Sequence, residues 1–219
     1  MKTILNAKKV IACNGPQAIS QGAVIIEDAK ITKVAAQNSI TPEDKLGAVE
    51  YNFKDGTIIP GFIEMHSHIH CSAHPTDAYK HITSESNETF MIRGTQALRS
   101  ALKSGVTTMR DLGSRNEIIF PLKDAISKGI LPGPRLLAAG TPITTTGGHC
   151  NSFGTEADTS EEVVQAVRNQ FKLGADCIKI MSTGGGFTPG TNVRKPQFSA
   201  SIIKDAVVDA DRLGLKVSA

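Results

Sequence analysis

From residue 58 onward, short apolar runs alternate with helical segments that stop at glycine. Helical patterns are expected over about 88–104, 116–128, 160–172 and 201–213, closing at Gly105, Gly129, Gly174 and Gly214. The helix near 160 opens with a capping-box sequence, Thr159-Ser160-Glu161-Glu162. The stops lead into β-rich runs at Val106-Thr107-Thr108-Met109, Pro134 to Ala139, Asp176 to Met181 and Leu215 to Ala219. This alternation is the pattern of parallel βαβ units and admits few folds. Polar residues gather where these strands end: His66 and His68, Arg110 and Asp111, and Lys179. In a (β/α)8 barrel that end is the catalytic face, and a complete barrel takes roughly 250 residues. The expected fold is therefore α/β, the first half of a TIM barrel that stops inside its fifth strand. No GxGxxG follows the first strand, and Gly147-Gly148 and Gly184 to Gly186 lack the Lys-Ser/Thr of a phosphate loop. They read as flexible loops at the barrel mouth.

Residues 1–57 have a different texture. Thr3-Ile4-Leu5, Lys9 to Ala12, Ala23 to Ile26 and Lys30 to Val34 are β-rich runs. Asn14-Gly15-Pro16, Gln21-Gly22, Glu27-Asp28-Ala29 and Asp55-Gly56 punctuate them as turns. A β-module of this size buries little core alone, so two domains are expected, 1–57 and 58–219. The net charge of +3 is carried by scattered lysines and arginines, and aromatics make up only 5% without tryptophan. That argues against a nucleic-acid or membrane partner. Cys13, Cys71, Cys150 and Cys177 form no CxxC pair, and no secretory signal or membrane span is legible, so a reduced, cytoplasmic protein is expected.

The chemistry centres on Ile58-Ile59-Pro60-Gly61-Phe62-Ile63-Glu64-Met65-His66-Ser67-His68. Side chains at i and i+2 of a strand share a face, so His66 and His68 project together and can hold one metal ion from one side. The plainer reading is a pair of half-buried histidines. His70 has the same parity but falls in the loop, where the apolar run has ended. Lys179 sits in an apolar strand with Ile178 and Ile180 on the other face. A lysine pointing into a barrel is costly unless it is neutral or paired; it either serves a site, snorkels to the barrel mouth or pairs with a carboxylate. Arg110 and Asp111 read as an ion pair or as support for the metal ligands. Glu64 shares the parity of the histidines and could support them. His74 and His81 fall in a polar loop over 72–87 and receive no role.

Four stretches together carry a family resemblance: Pro60 to His68, Ser104 to Asp111, Ile143-Thr144-Thr145-Thr146-Gly147-Gly148-His149, and Gly174 to Met181. They resemble the amidohydrolase superfamily, and within it the imidazolonepropionase-like, Xaa-Pro dipeptidase branch, along essentially the whole chain. The resemblance implies a small β-sandwich module before a metal-bearing barrel, and a binuclear site, usually zinc. His66 and His68 would bind one ion. Lys179, carbamylated by CO2, would bridge both. His149 would contact substrate, though a loop histidine without a role is the plainer alternative.

Family members complete the site with a histidine ending strand five, a histidine on strand six and a general-base aspartate on strand eight, all expected beyond Ala219. The implied activity is hydrolysis of a C–N bond in a dipeptide or N-acyl amino acid by metal-activated water. The competing expectation is a truncated, non-catalytic half-barrel, whose open sheet edge would favour a homo-oligomer.

Overall fold

A computed structural model of the chain describes residues 1–72 and 78–219. His74 therefore lies outside the described residues. The chain divides into two compact units, Met1–Gly61 and Phe62–Ala219.

The first unit carries one four-stranded sheet. Its strands are β1 (Lys2–Val10), β2 (Ile19–Glu27), β3 (Lys30–Ala36) and β4 (Ala48–Ile58), in the order β3-β2-β1-β4, with a short helix α1 (Pro42–Lys45) before β4. β1 pairs antiparallel with β2 and parallel with β4. The runs 3–5 and 9–12, expected as separate strands, merge into β1, which takes in the first run and Lys9 and Val10 of the second. Asp55-Gly56, expected as a turn, lies inside β4. Ala7 pairs with Phe53 while Lys9 pairs with Thr57, so two steps on β1 face four on β4. The turn-forming dipeptide is absorbed in a bulge, which needs the same backbone freedom as a turn. Ile4, Ala23 and Ile25 form the unit's small core.

The Asp28-Ala29 link between β2 and β3 behaves as anticipated. Glu27 pairs with Lys30, and both loop residues have positive φ, +46° and +65°, as a tight hairpin turn with the right twist demands. Ala29 is the wrong residue for that conformation.

The second unit is an arc of parallel strands: β5 (Phe62–Ser67), β6 (Val106–Asp111), β7 (Arg135–Ala138), β10 (Cys177–Lys179) and β11 (Lys216–Ser218). β8 (Ile143–Thr144) and β9 (Thr155–Glu156) are a small parallel pair beyond β7. Helices α3 (Asn87–Lys103), α4 (Asn116–Ser127), α5 (Ser160–Lys172) and α6 (Ala200–Arg212) provide the crossovers. The arc is the first half of a barrel, and it does not close among the described residues. A further helix, α2 (Ala78–Ser84), occupies ground expected as loop. Its Ile82 is buried in the same core as Phe90, Leu98, Ile118 and Ile119, so tertiary packing orders a segment with little periodicity of its own.

Local chemistry explains the helix ends. Thr159 and Glu162 form the anticipated reciprocal capping box at α5, and Ser86 and Ser199 cap α3 and α6. α5 and α6 bury Val163, Ala166, Val167, Ala206 and Ala210 against Ile178 and Ile180 of the sheet side. A bidentate Arg168–Asp209 pair, 3.0 Å at each contact, ties the two helices together. Asp176 joins β7 to β10: its backbone N–H donates to the Ala138 carbonyl, and its carboxylate accepts from the Ala138 N–H, 2.8 Å each, and from Lys123 Nζ. No described helix is long and apolar enough to cross a membrane.

Releasing Ala29 from its left-handed backbone should stabilise the chain. Ala29→Gly is expected to raise the unfolding free energy by about 1 kcal/mol, the steric cost of the conformation partly offset by the freer unfolded state. Urea denaturation measures it; an unchanged or lower midpoint contradicts the turn assignment.

Candidate functional site

The strand ends of the second unit surround a cavity of about 490 Å³. His66, His68, His149 and Lys179 all line it, with Cys71, Cys150, Phe153, Ile180, Met181 and Phe187 among the walls. The structure thus brings together four residues spread over more than a hundred positions of the chain.

His66 is the penultimate residue of β5, and His68 follows one residue past its end. Their rings stand 5.2 Å apart, centroid to centroid, at 65°. Partial burial lowers the His66 pKa, helped by the nearby His68, Lys179 and Arg110. The neutral form is the one that ligates metals. His68 Nδ1 lies 2.9 Å from the Gly113 carbonyl. A carbonyl only accepts, so Nδ1 carries the proton and Nε2 keeps its lone pair. Gly113 has a φ of +147°, a backbone conformation that favours glycine, and it lies against the His68 ring and Pro142.

One buried carboxylate holds this arrangement. Asp111 ends β6 and is 0% exposed. It accepts hydrogen bonds from the Ile69 N–H at 2.8 Å, the Gly113 N–H at 3.0 Å and the Ser114 hydroxyl at 3.0 Å. Burial raises its pKa, against these three donors, which favour the charged form. Arg110 makes no ion pair with it. The guanidinium instead donates from Nε to the Met65 carbonyl at 2.8 Å. Alternation along β6 sends the two side chains to opposite faces, which rules out the expected ion pair. Asp111 instead braces the turn after His68.

His70 is a core residue. It is 0% exposed, packs edge-on against Phe90 and Phe153, and lies 2.7 Å from the Ser114 hydroxyl through Nδ1. Ser114 gives its own proton to Asp111, so His70 Nδ1 is the donor. Burial pushes the His70 pKa down to about 3. Glu64 Oε1 accepts from the His66 backbone N–H at 2.9 Å, a local brace on the strand. His81 pairs with Glu85 on α2 and stands outside the cavity lining.

Lys179 closes β10 and is 7% exposed. Among the described residues, its amine has no hydrogen-bond or ion-pair partner, which removes the carboxylate pairing left open by the sequence. Burial lowers its pKa, with the Cys150 thiol opposing and Arg110 reinforcing the shift. An amine held there gives up its proton more readily than a free lysine does. His149 faces the same cavity from the loop after β8. Its pKa is lowered first by burial and then by Lys179 and His68.

The donors present fit one side of a metal site: two convergent imidazoles and a buried amine. Among the described residues, no group of three His, Cys, Asp or Glu side chains converges as a complete ligand set. Sequence reasoning missed Gly113, Ser114 and Thr188, the last of which touches His149 and is 3% exposed. Glycine, serine and threonine carry no local signal for such roles.

His70 supplies a pH test. The unfolded ring takes up a proton near pH 6.5 while the folded one stays neutral down to about 3. The unfolded state therefore binds more protons across that window, and stability falls as pH drops through it. From pH 6.5 to 5 this group should cost about 2 kcal/mol. His70→Gln, which keeps a donor for Ser114, should flatten that part of the urea-unfolding profile; an unchanged slope contradicts the assignment.

Residues 57–219 match the profile of the amidohydrolase family. Ochratoxinase from Aspergillus niger is 27% identical over an alignment spanning 99% of this chain and 49% of that protein. A crystal structure of a Xaa-Pro dipeptidase with methionine bound in its active site is 29% identical, with a TM-score of 0.86 over 99% of this chain and 56% of that one. The crystal structure of A. niger ochratoxinase, 24% identical, shares the fold with a TM-score of 0.87, over 99% of this chain and 55% of that one. The chain spans about half the length of the curated relatives it matches.

Proposed function

The chain belongs to the amidohydrolase family, and on that premise we propose that it carries the first metal-binding arms of a hydrolase that cleaves a C–N bond in a dipeptide or N-acyl amino acid. The observation that carries this reading is the convergence of His66 and His68 on one cavity with a buried Lys179 that has no partner among the described residues. In this reading His66 and His68 hold one divalent ion, zinc being the fit for imidazole donors. The Lys179 amine, once deprotonated, would add to CO2 as a carbamate and offer oxygen donors to the same metal site. Metal held by these residues would supply an activated water and polarise the scissile carbonyl.

The chain's own residues then divide the remaining work. The Gly113 carbonyl keeps the His68 lone pair aimed at the ion. His149 contacts the substrate's polar end. Phe153, Phe187, Ile180 and Met181 receive an apolar side group and exclude water from it. Ochratoxinase and the Xaa-Pro dipeptidase support hydrolysis as the general chemistry. The choice of a dipeptide or N-acyl amino acid follows from the likeness to the Xaa-Pro dipeptidase.

The donor count favours a second reading, in which these 219 residues hold metal without turnover. Three ligand positions are present, and no further His, Cys, Asp or Glu joins the histidines among the described residues.

Calorimetric titration of the metal-stripped chain with Zn2+ tests the shared core of both readings. His66→Ala and His68→Ala should each abolish the binding seen in the wild type, and unchanged binding in both variants defeats the proposal. Labelled bicarbonate should add a carbamate carbon resonance that Lys179→Arg lacks. Release of the amino acid from N-acetyl-L-phenylalanine by the metal-loaded chain separates hydrolase from metal-holding half-barrel.

A further inference from the structure

His149 and His68 share a cavity, yet their hydrogen bonds fix opposite protonation. We infer that Thr188 sets the tautomer of His149, placing its proton on Nε2 so that this ring offers the cavity an N–H donor where His68 offers a lone pair. Thr188 is a positioning residue, acting on the substrate through His149. The substrate-facing consequence rests on the hydrolase reading above; the tautomer does not.

The inference comes from counting donors and acceptors. The Thr188 hydroxyl is buried, and among the described residues it meets the Cys150 backbone N–H, the His149 ring and the Cys150 thiol. The Cys150 backbone N–H donates to Oγ1 at 2.9 Å, and His149 Nδ1 lies at 3.0 Å. A backbone N–H has no other role, so Cys150 occupies one lone pair of the hydroxyl. The hydroxyl proton then needs an acceptor, and among the described residues the imidazole Nδ1 of His149 is a much stronger one than the Cys150 sulfur. If Nδ1 were protonated instead, the hydroxyl would accept twice and its own buried proton would be left with only the weakly accepting sulfur. The satisfied arrangement has Thr188 donating to a bare Nδ1, which leaves Nε2 protonated. Nε2 has no protein partner among the described residues, and His149 lines the cavity.

The ring's seat is built to keep this geometry. Gln197 commits both ends of its amide. Its Oε1 accepts from the His149 backbone N–H at 2.6 Å, and its Nε2 donates to the Met181 carbonyl at 2.9 Å and to Thr144 Oγ1 at 3.1 Å. Gly185 lies over the imidazole so closely that a Cβ there would overlap the ring atoms Cε1, Nε2 and Cδ2. Thr191 holds that glycine, accepting from its N–H at 3.0 Å and donating to its carbonyl at 2.8 Å. A neutral N–H fixed in this way selects for a hydrogen-bond acceptor, the carbonyl or carboxylate oxygen of a substrate, and disfavours a metal ion at the same nitrogen.

Histidine tautomers are read directly from two-bond proton–nitrogen correlations, in which protonated and bare ring nitrogens resonate far apart. The 15N-histidine-labelled chain is measured at neutral pH without metal or substrate, with the His149 signals assigned by their loss in His149→Gln. The expected pattern is a protonated Nε2 at His149 and a protonated Nδ1 at His68. Thr188→Val removes the hydroxyl while keeping the side chain's shape, and should move His149 to the Nδ1–H form or to a mixture. Thr188→Ser should restore the wild-type pattern, which loss of packing alone would not predict. A wild-type His149 protonated on Nδ1 overturns the inference, whether or not the valine variant folds. An unchanged Nε2–H pattern in Thr188→Val overturns it as well. Because no metal or substrate is present, failure here is distinct from failure of the hydrolase reading.

Discussion

The candidate site depends on one buried carboxylate. Asp111 receives three donors from three different residues, and each has a further effect. The Ile69 N–H fixes the turn directly after His68. The Gly113 N–H fixes the residue whose carbonyl orients His68. The Ser114 hydroxyl receives His70 and so anchors the core beneath the histidine pair. A carboxylate taken fully out of water is tolerated only when its lone pairs are filled, and here the backbone fills most of them. The same bonds that satisfy Asp111 hold β5 and β6 in the register that aims His66 and His68 at the cavity.

A division of labour among histidines follows from their partners. His68 faces a carbonyl and must donate from Nδ1, so its other nitrogen is a metal-type donor. His149 faces a hydroxyl already occupied by a backbone N–H, so its other nitrogen is a hydrogen-bond donor. His70 is enclosed by Phe90 and Phe153 and serves the core. Imidazole is chemically the same in all three. Its role is decided by whether an acceptor, a donor or an apolar ring lies beside it.

Much of the barrel half was legible because its signals are local. The glycine stops, the Thr159–Glu162 box and the apolar runs act within a few residues, and their elements lie close to where periodicity placed them. The β-module was less legible. Asp55-Gly56 carries turn chemistry, but pairing with β1 turned it into a bulge. α2 was missed because its order comes from burial of Ile82 among distant residues. In the site, His66 and His68 were visible from their two-residue spacing. Of the two readings open for Arg110 and Asp111, the ion pair fails because adjacent residues on a strand point apart, while Asp111 supports the turn after His68.

By itself, the sequence determined the βαβ order, the pairing of His66 with His68 on one strand and the presence of a lysine in an apolar run, since each depends on spacing of a few residues. Only the tertiary structure decided that Lys179 has no carboxylate partner among the described residues, that Asp111 faces inward to hold the His68 turn, and that Thr188 and Gly185 close on His149. Those outcomes rest on hydrogen bonds and contacts between residues some 36 to more than 40 positions apart. No local pattern encodes them, because the partner of a buried polar group is known only once the chain has placed every competitor for it.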